Sequence, residues 1–306
     1  MQKWYSRERG LVFMDGKEAR KIINSYQETE IHSPDDDFMF VEACQYIINE
    51  EHDTEMMLWL GGWYYERKRF DLALKYYELA ASFGNESADE CLGYIWYYGR
   101  TGQCDYEKAF KHFSAAAERG NVTAKYKIAD MYKNGYYVDK DYDKYVSIIE
   151  ELYPIACDFD YYYQPLPDIF TRLAKIRVKQ DEIGEAINLY LRAKDFLAER
   201  LTFNSFFGDL NIMKWLIGDL YQLVDFGTFG VDFYDLYYLL TKEVSLEVII
   251  GESTIKIYTE MTDGECNVNF NGKWFRNVDD FFGNASINGL LLTEIYSEID
   301  VIWEEE

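Results

Sequence analysis

Three histidines, five cysteines and fifty-five carboxylates are the residues with which this 306-residue chain could do chemistry, and their spacing decides how much. His32, His52 and His112 stand apart, with no second His or Cys at the separations metal ligation uses. His112 lies beside Phe113, the setting of an exposed or satisfied structural histidine. His52 and Asp53, among Glu50, Glu51 and Glu55, offer a cation site or, more ordinarily, an acidic turn between helices. Cys44, Cys91, Cys104, Cys157 and Cys266 are odd in number and scattered, without a CxxC pair. Asp263, Gly264 and Glu265 read as a turn between strands, because a calcium loop needs further oxygen ligands at alternate positions. No P-loop, nucleophile elbow or Gly-rich dinucleotide turn occurs. The sequence therefore nominates no catalytic, cofactor-binding or metal-binding residue and implies no obligatory small molecule.

Tyrosine is the side chain used in excess: twenty-eight are present, with seven tryptophans. Tyrosine gives a large contact area with few rotors to freeze, which suits recognition surfaces as well as cores. Which of the two it serves depends on the elements that carry it. Phe70, Ala73, Tyr77, Ala81, Gly84 and Ala88 recur thirty-six residues later as Tyr106, Ala109, Phe113, Ala117, Gly120 and Ala124. Leu92, Gly93, Trp96 and Gly99 are answered by Ile128, Ala129, Tyr132 and Gly135. A period in the thirties is the mark of stacked helical hairpins, each too small to bury its own apolar face. The small residue of each first helix lets its neighbour approach closely. Gly84, Asn85 and Gly120, Asn121 read as helix stops with a left-handed cap.

These residues resemble the Sel-1-like repeat, the longer-looped relative of the tetratricopeptide repeat. Gly61 precedes Ala73 by the twelve residues of the ordinary tetratricopeptide unit, whereas Gly93 to Ala109 and Ala129 to Tyr145 span sixteen. The extra residues fall near Arg100 to Cys104 and Tyr136 to Lys140. Leu173, Ala174, Ala186, Tyr190 and Ala193 suggest a fourth unit. Ile217, Gly218 and Tyr221 suggest a fifth first helix, with its second displaced to Asp232 to Leu240. The expected fold is mainly α: an α-α superhelix, a solenoid of Sel-1-like and tetratricopeptide-like hairpins, followed by a small α+β C-terminal domain. The expected divisions are capping helices over 1–55 (Lys17 to Tyr26 and Asp37 to Asn49), repeats over 56–244, and the α+β domain over 245–306. Pro154, Pro165 and Pro167 bracket an expected hinge. In the last segment, Glu247 to Ile250 and Thr254 to Thr259 read as strands, and Asn271, Gly272 as a hairpin turn. Val278 to Ala285 and Leu290 to Ile302 read as helices.

Thirty-one basic residues against fifty-five acidic leave a formal charge of -24. From Asp225 onward seventeen acidic residues face four basic ones, and Glu28 to Glu55 carries ten acidic residues with no Lys or Arg. Such a field repels nucleic acids and anionic membranes; it serves solubility or steers a basic partner. Neither a signal-like segment nor an apolar run long enough to span a bilayer is present, so a cytoplasmic, bacterial protein is expected.

The resemblance implies a non-catalytic scaffold or adaptor binding a protein or peptide on the inner face of its first helices. That face takes residues at fixed offsets from the small residue: Leu58, Tyr65 and Glu66; Glu90, Tyr94, Tyr97 and Tyr98; Tyr126, Asp130 and Lys133; Lys175 and Lys179. The groove would run from acidic and aromatic to basic. Two other readings stand beside it: an acidic inhibitor or immunity-type protein blocking a basic nuclease or toxin, and an enzyme with its site in the C-terminal domain.

Overall fold

The computed structural model describes residues 3–6, 10–29, 32–157, 165–203, 208–242, 244–262 and 264–302. The chain divides into two compact units, Met1–Tyr145 and Val146–Glu306. The first opens with antiparallel strands β1 (Lys3–Ser6) and β2 (Gly10–Phe13), an addition to what the sequence pattern suggested. Helices α1 (Gly16–Gln27), α2 (Pro34–Glu51), α3 (Thr54–Glu66), α4 (Phe70–Ser82), α5 (Ala88–Tyr97), α6 (Tyr106–Glu118) and α7 (Val122–Asn134) follow. They pack as consecutive hairpins, α1 on α2, α3 on α4 and α5 on α6, each hairpin resting on the next.

The repeat is visible in the packing. A Cβ on Gly61 would lie 2.6 Å from the Tyr77 ring, and one on Gly93 2.4 Å from that of Phe113, so glycine is what lets an aromatic ring of the second helix lie on the first. In the next copy the first helix has Ala129 in place of glycine, and the position of the ring falls to the smaller Ile149. Both α4 and α6 stop as expected. Gly84 (φ 85°) and Gly120 (φ 88°) turn the chain left-handed, and Asn85 and Asn121 donate back to the carbonyls of Ala80 (3.0 Å) and Ala116 (3.1 Å).

The lengthened loops repeat too. Arg100 N donates to Ile95 O and Asp105 N to Trp96 O, both at 3.0 Å; Tyr136 donates to Met131 (3.0 Å) and Asp141 to Tyr132 (2.9 Å) thirty-six residues later. Asp105 then caps α6 and Asp141 caps α8 (Tyr142–Cys157), by accepting from the backbone of Lys108 and Lys144. The ammonium of Lys108 lies 3.9 Å from the Trp96 ring and that of Lys144 4.1 Å from Tyr132.

Of the hinge expected between Pro154 and Pro167, the Pro154 end is a correction, because α8 runs through it to Cys157; the next helix begins at Leu166, and residues 158–164 lie outside the described residues. In the second unit α9 (Leu166–Lys179) pairs with α10 (Ile183–Phe203), which packs on α11 (Asp209–Leu220). A 3-10 turn at Phe233–Asp235 leads into the short α12 (Leu236–Leu239). Then come β3 (Ser245–Ile250), β4 (Ser253–Thr262), β5 (Glu265–Phe270), β6 (Lys273–Phe275), α13 (Val278–Asn284), β7 (Ser286–Ile287), β8 (Leu290–Leu291) and β9 (Ile299–Ile302). The five-stranded antiparallel sheet runs in the order β6-β5-β4-β3-β9. The expected turn joins β5 to β6, with Asn271 and Gly272 both at positive φ. On one face Phe281 of α13 meets Phe270 and Phe275 edge-on.

The helix expected over Leu290 to Ile302 is a correction: this stretch holds β8, a 3-10 turn at Tyr296–Glu298 and β9. Its apolar residues satisfy a helical period, but the β-branched Ile299, Val301 and Ile302 instead pair with the edge of β3, giving both backbones their hydrogen bonds. The architecture is thus mostly helical, a repeat of helical hairpins with a small antiparallel sheet at its C-terminal end.

Candidate functional site

Several of the residues weighed above for chemistry make local structural contacts. His52 takes a left-handed conformation at the end of α2 and stacks on Phe83. Asp53 caps α3, Glu51 pairs with Arg20 and Glu55 accepts from the Asn85 amide. His112 meets Asp89 at 2.8 Å, and Asp89 also pairs with Arg119. His32 stacks on Tyr26 at 3.6 Å. Asp263 lies outside the described residues, and Glu265 starts β5. Among the described residues no group of three or more His, Cys, Asp or Glu is disposed to hold a metal ion, and no helix is long and apolar enough to cross a membrane.

The face nominated from the repeat offsets has a definite geometry in the first unit. Leu58, Glu90, Tyr94, Tyr97 and Lys133 are half-buried, Tyr65, Tyr126 and Asp130 buried, and Glu66 and Tyr98 exposed. Tyr65 receives a 2.9 Å hydrogen bond on its hydroxyl from Arg100 Nε, and burial pushes its pKa up. The longer loop delivers that arginine, whose guanidinium carbon lies 5.3 Å from the Phe70 ring and 4.9 Å from Tyr98. One repeat later Tyr136 takes the place of Arg100 and stacks on Tyr106 at 4.2 Å. Lys133 reaches over Tyr145, 5.2 Å from the ring centre.

The structure brings Glu90, Tyr94, Tyr97, Tyr98 and Tyr126 together around a residue that the offsets did not nominate. Lys127, 5% exposed, puts its ammonium 5.0 to 5.4 Å from the ring centres of Tyr94, Tyr97, Tyr98 and Tyr126. It donates to the Tyr98 hydroxyl at 2.7 Å, while the Tyr94 and Tyr126 hydroxyls meet at 3.2 Å. The Tyr94 and Tyr98 rings stack at 5.8 Å, and Tyr97 stands edge-on to Tyr98 at 4.9 Å. Glu90 accepts a 2.6 Å hydrogen bond from the Asn121 amide; burial raises its pKa, and Asn121 and Lys127 draw it back. Chemically this is an aromatic cage around a cation, with a carboxylate nearby. One signal for it existed in the sequence: Cys91 holds the same place one repeat earlier, so a lysine there departs from the repeat.

In the second unit Lys175 is half-buried and its ammonium lies 2.8 Å from Asp219 Oδ2 on α11; Lys179 is exposed. The offset that gives Leu58, Glu90 and Tyr126 also gives Trp215, three residues before Gly218. Trp215 is 65% exposed, the highest value among the exposed large apolar side chains of the described residues. It went unnominated because the fifth hairpin is so irregular.

The sequence matches no protein-family model and no curated protein. Among solved structures it is similar to a Sel1 repeat protein from Oxalobacter formigenes, at 20% identity and a TM-score of 0.51, over 75% of this chain and 86% of that one. It is also similar to c5321, a protective antigen present in uropathogenic Escherichia coli strains and displaying the same repeat fold, at 16% identity and a TM-score of 0.47, over 71% of this chain and 50% of that one. The Oxalobacter likeness gives the fold as that of Sel1 repeat proteins.

Proposed function

We propose that this Sel1-type array of hairpins is a non-catalytic scaffold that binds a protein or peptide on its first-helix face, with residues 56–244 as the recognition module, 1–55 as its cap and 245–306 as an appended domain. The observation that carries the reading is large aromatic surface left open along first helices: Trp215 on α11 at 65% and Tyr98, just past the end of α5, at 43% exposure. An exposed tryptophan amid a helical repeat has no packing role to explain it, and Trp and Tyr are the residues that most often anchor partners. Leu58, Tyr65, Glu66, Glu90, Tyr126, Asp130, Lys133, Lys175 and Lys179 complete the proposed face on their own units, and in the first unit Tyr94 and Tyr97 pack on Tyr98. A formal charge of -24 favours a basic protein over nucleic acid or an anionic membrane.

The same charge favours a second reading, in which the partner is a single basic enzyme that the chain inhibits. Capture from native lysate tests both. Wild-type protein retaining partners that Trp215→Ala and Tyr98→Ala lose is the result expected. Recovery of one basic nuclease moves the assignment to the inhibitor, and partners retained equally by both variants place recognition off this face.

A further inference from the structure

Cation and rings in the first unit form one closed cluster. Four tyrosine faces surround one ammonium at near-equal distance, and Tyr98 supplies its hydrogen-bond acceptor. Packing does not demand a cation there, since the equivalent place one hairpin earlier holds Cys91. The position therefore carries a charge that the repeat can do without. The outer wall of the cage is Tyr98, the ring of the four most open to solvent. Lysine hangs on a flexible four-carbon stem, so it can leave without the helix moving. Vacated, these ring faces would offer an alkylammonium the contacts by which aromatic cages recognise it, through the ring quadrupole.

We propose that the space between Tyr94, Tyr97, Tyr98 and Tyr126 is an alkylammonium-binding site, held in the resting protein by Lys127 and taken over by a lysine or methylated lysine of a basic partner segment. Lys127 then acts as an internal competitor: it keeps the tyrosines ordered while no partner is present and lowers the affinity for weak ligands. Methylation strengthens the incoming group, because a methylated ammonium is less costly to desolvate and presents more surface to the rings. Glu90 supplies the negative potential that favours a cation over a neutral side chain of similar size. The exchange rests on the first-helix face being the partner surface; the site itself does not.

The test uses the whole chain and no partner. Tetramethylammonium chloride and a short peptide carrying trimethyllysine are titrated by calorimetry into the wild type, Lys127→Ala, and Lys127→Ala combined with Tyr97→Ala, with sodium chloride and the unmethylated peptide as controls. The wild type is expected to bind weakly but saturably, Lys127→Ala at least tenfold more tightly, and the double variant at least tenfold more weakly than Lys127→Ala. Should Lys127→Ala fail to fold, Lys127→Cys, which copies the preceding repeat, replaces it. A folded Lys127 variant with no saturable binding overturns the site. Binding by the variant with none by the wild type overturns the exchange and leaves Lys127 a permanent clasp. Ammonium binding in a chain that captures no protein retires the scaffold reading alone, and capture unaffected by Lys127→Ala, with an empty titration, retires this one alone.

Discussion

The two units solve the same problem, how to bury a cation, in opposite ways. Among the described residues the buried Lys and Arg side chains are Lys127 in the first unit and Lys194 and Arg200 in the second. Lys127 is surrounded by rings. Lys194 lies 2.7 Å from Asp232 and from Asp235, and Arg200 bridges Asp168 at 3.0 Å and Asp209 at 2.8 Å. Rings spread the stabilisation over several weak contacts, each about 0.5 to 2 kcal/mol. Carboxylates concentrate it in one or two contacts whose removal leaves an uncompensated charge. The first arrangement tolerates the loss of any one partner and suits a site that changes occupants; the second ties α10 to the elements on either side of it and suits a fixed joint.

Breaking the carboxylate side has the largest expected effect. Asp235→Ala or Asp209→Ala should cost about 3 to 5 kcal/mol in urea unfolding, because each takes from a buried cation the more buried of its two carboxylates. A loss below 1 kcal/mol would erase the contrast. Lys194 adds a pH signature. Burial works against its charge, but Asp232 and Asp235 prevail and raise its pKa. Its contribution is therefore complete below the unfolded value of about 10.4 and is lost as pH rises through the higher folded value. Wild-type unfolding followed between pH 9 and 12 should show this loss, and Lys194→Met should flatten it.

Next comes the repeat packing. Gly93→Ala forces a methyl against Phe113 and should cost about 1 to 3 kcal/mol. Adding Phe113→Ile, which gives the residue types found thirty-six positions later at 129 and 149, should recover most of it. Failure to recover would mean the copies are not interchangeable.

Smaller still is Glu42→Gln. The Glu42 carboxylate is buried with Oε2 unpartnered, and burial raises its pKa. A raised folded pKa means the wild type loses stability as pH climbs through and above the ordinary carboxylate range. Gln should therefore stabilise the chain by about 1 kcal/mol at pH 7 and by little near pH 4. Equal gains at both pH values would discard the titration account. On the ring side, Tyr98→Phe should cost about 1 kcal/mol or less, since one hydrogen bond is lost and four rings remain. A loss near that of Asp235→Ala would show the cage to be as brittle as the ion pairs.

Much of the fold was legible because it repeats. The glycine caps, the lengthened loops and the Asn-Gly hairpin rest on local geometry that few residue types permit, and each copy corroborates the other. Leu290 to Ile302 was not legible, since its apolar spacing fits helix and strand alike and the decision came from an open edge on β3. The candidate face was legible only as a set of positions. Offsets along a helix say which residues share a side, not what crosses from the next helix to meet them.

The amino-acid sequence by itself determined the hairpin repeat, the places where its helices stop, the strands after Val244 and the strongly acidic charge. These depend on the chain's immediate neighbours along itself. Only the tertiary structure decided that Tyr65 and Tyr126 are buried, that Trp215 is open and that the tyrosine cluster holds a lysine. Burial and ring contact are properties of helices brought together from different parts of the chain, and Lys127 meets Tyr94, Tyr97 and Tyr98 only because α7 is laid against α5.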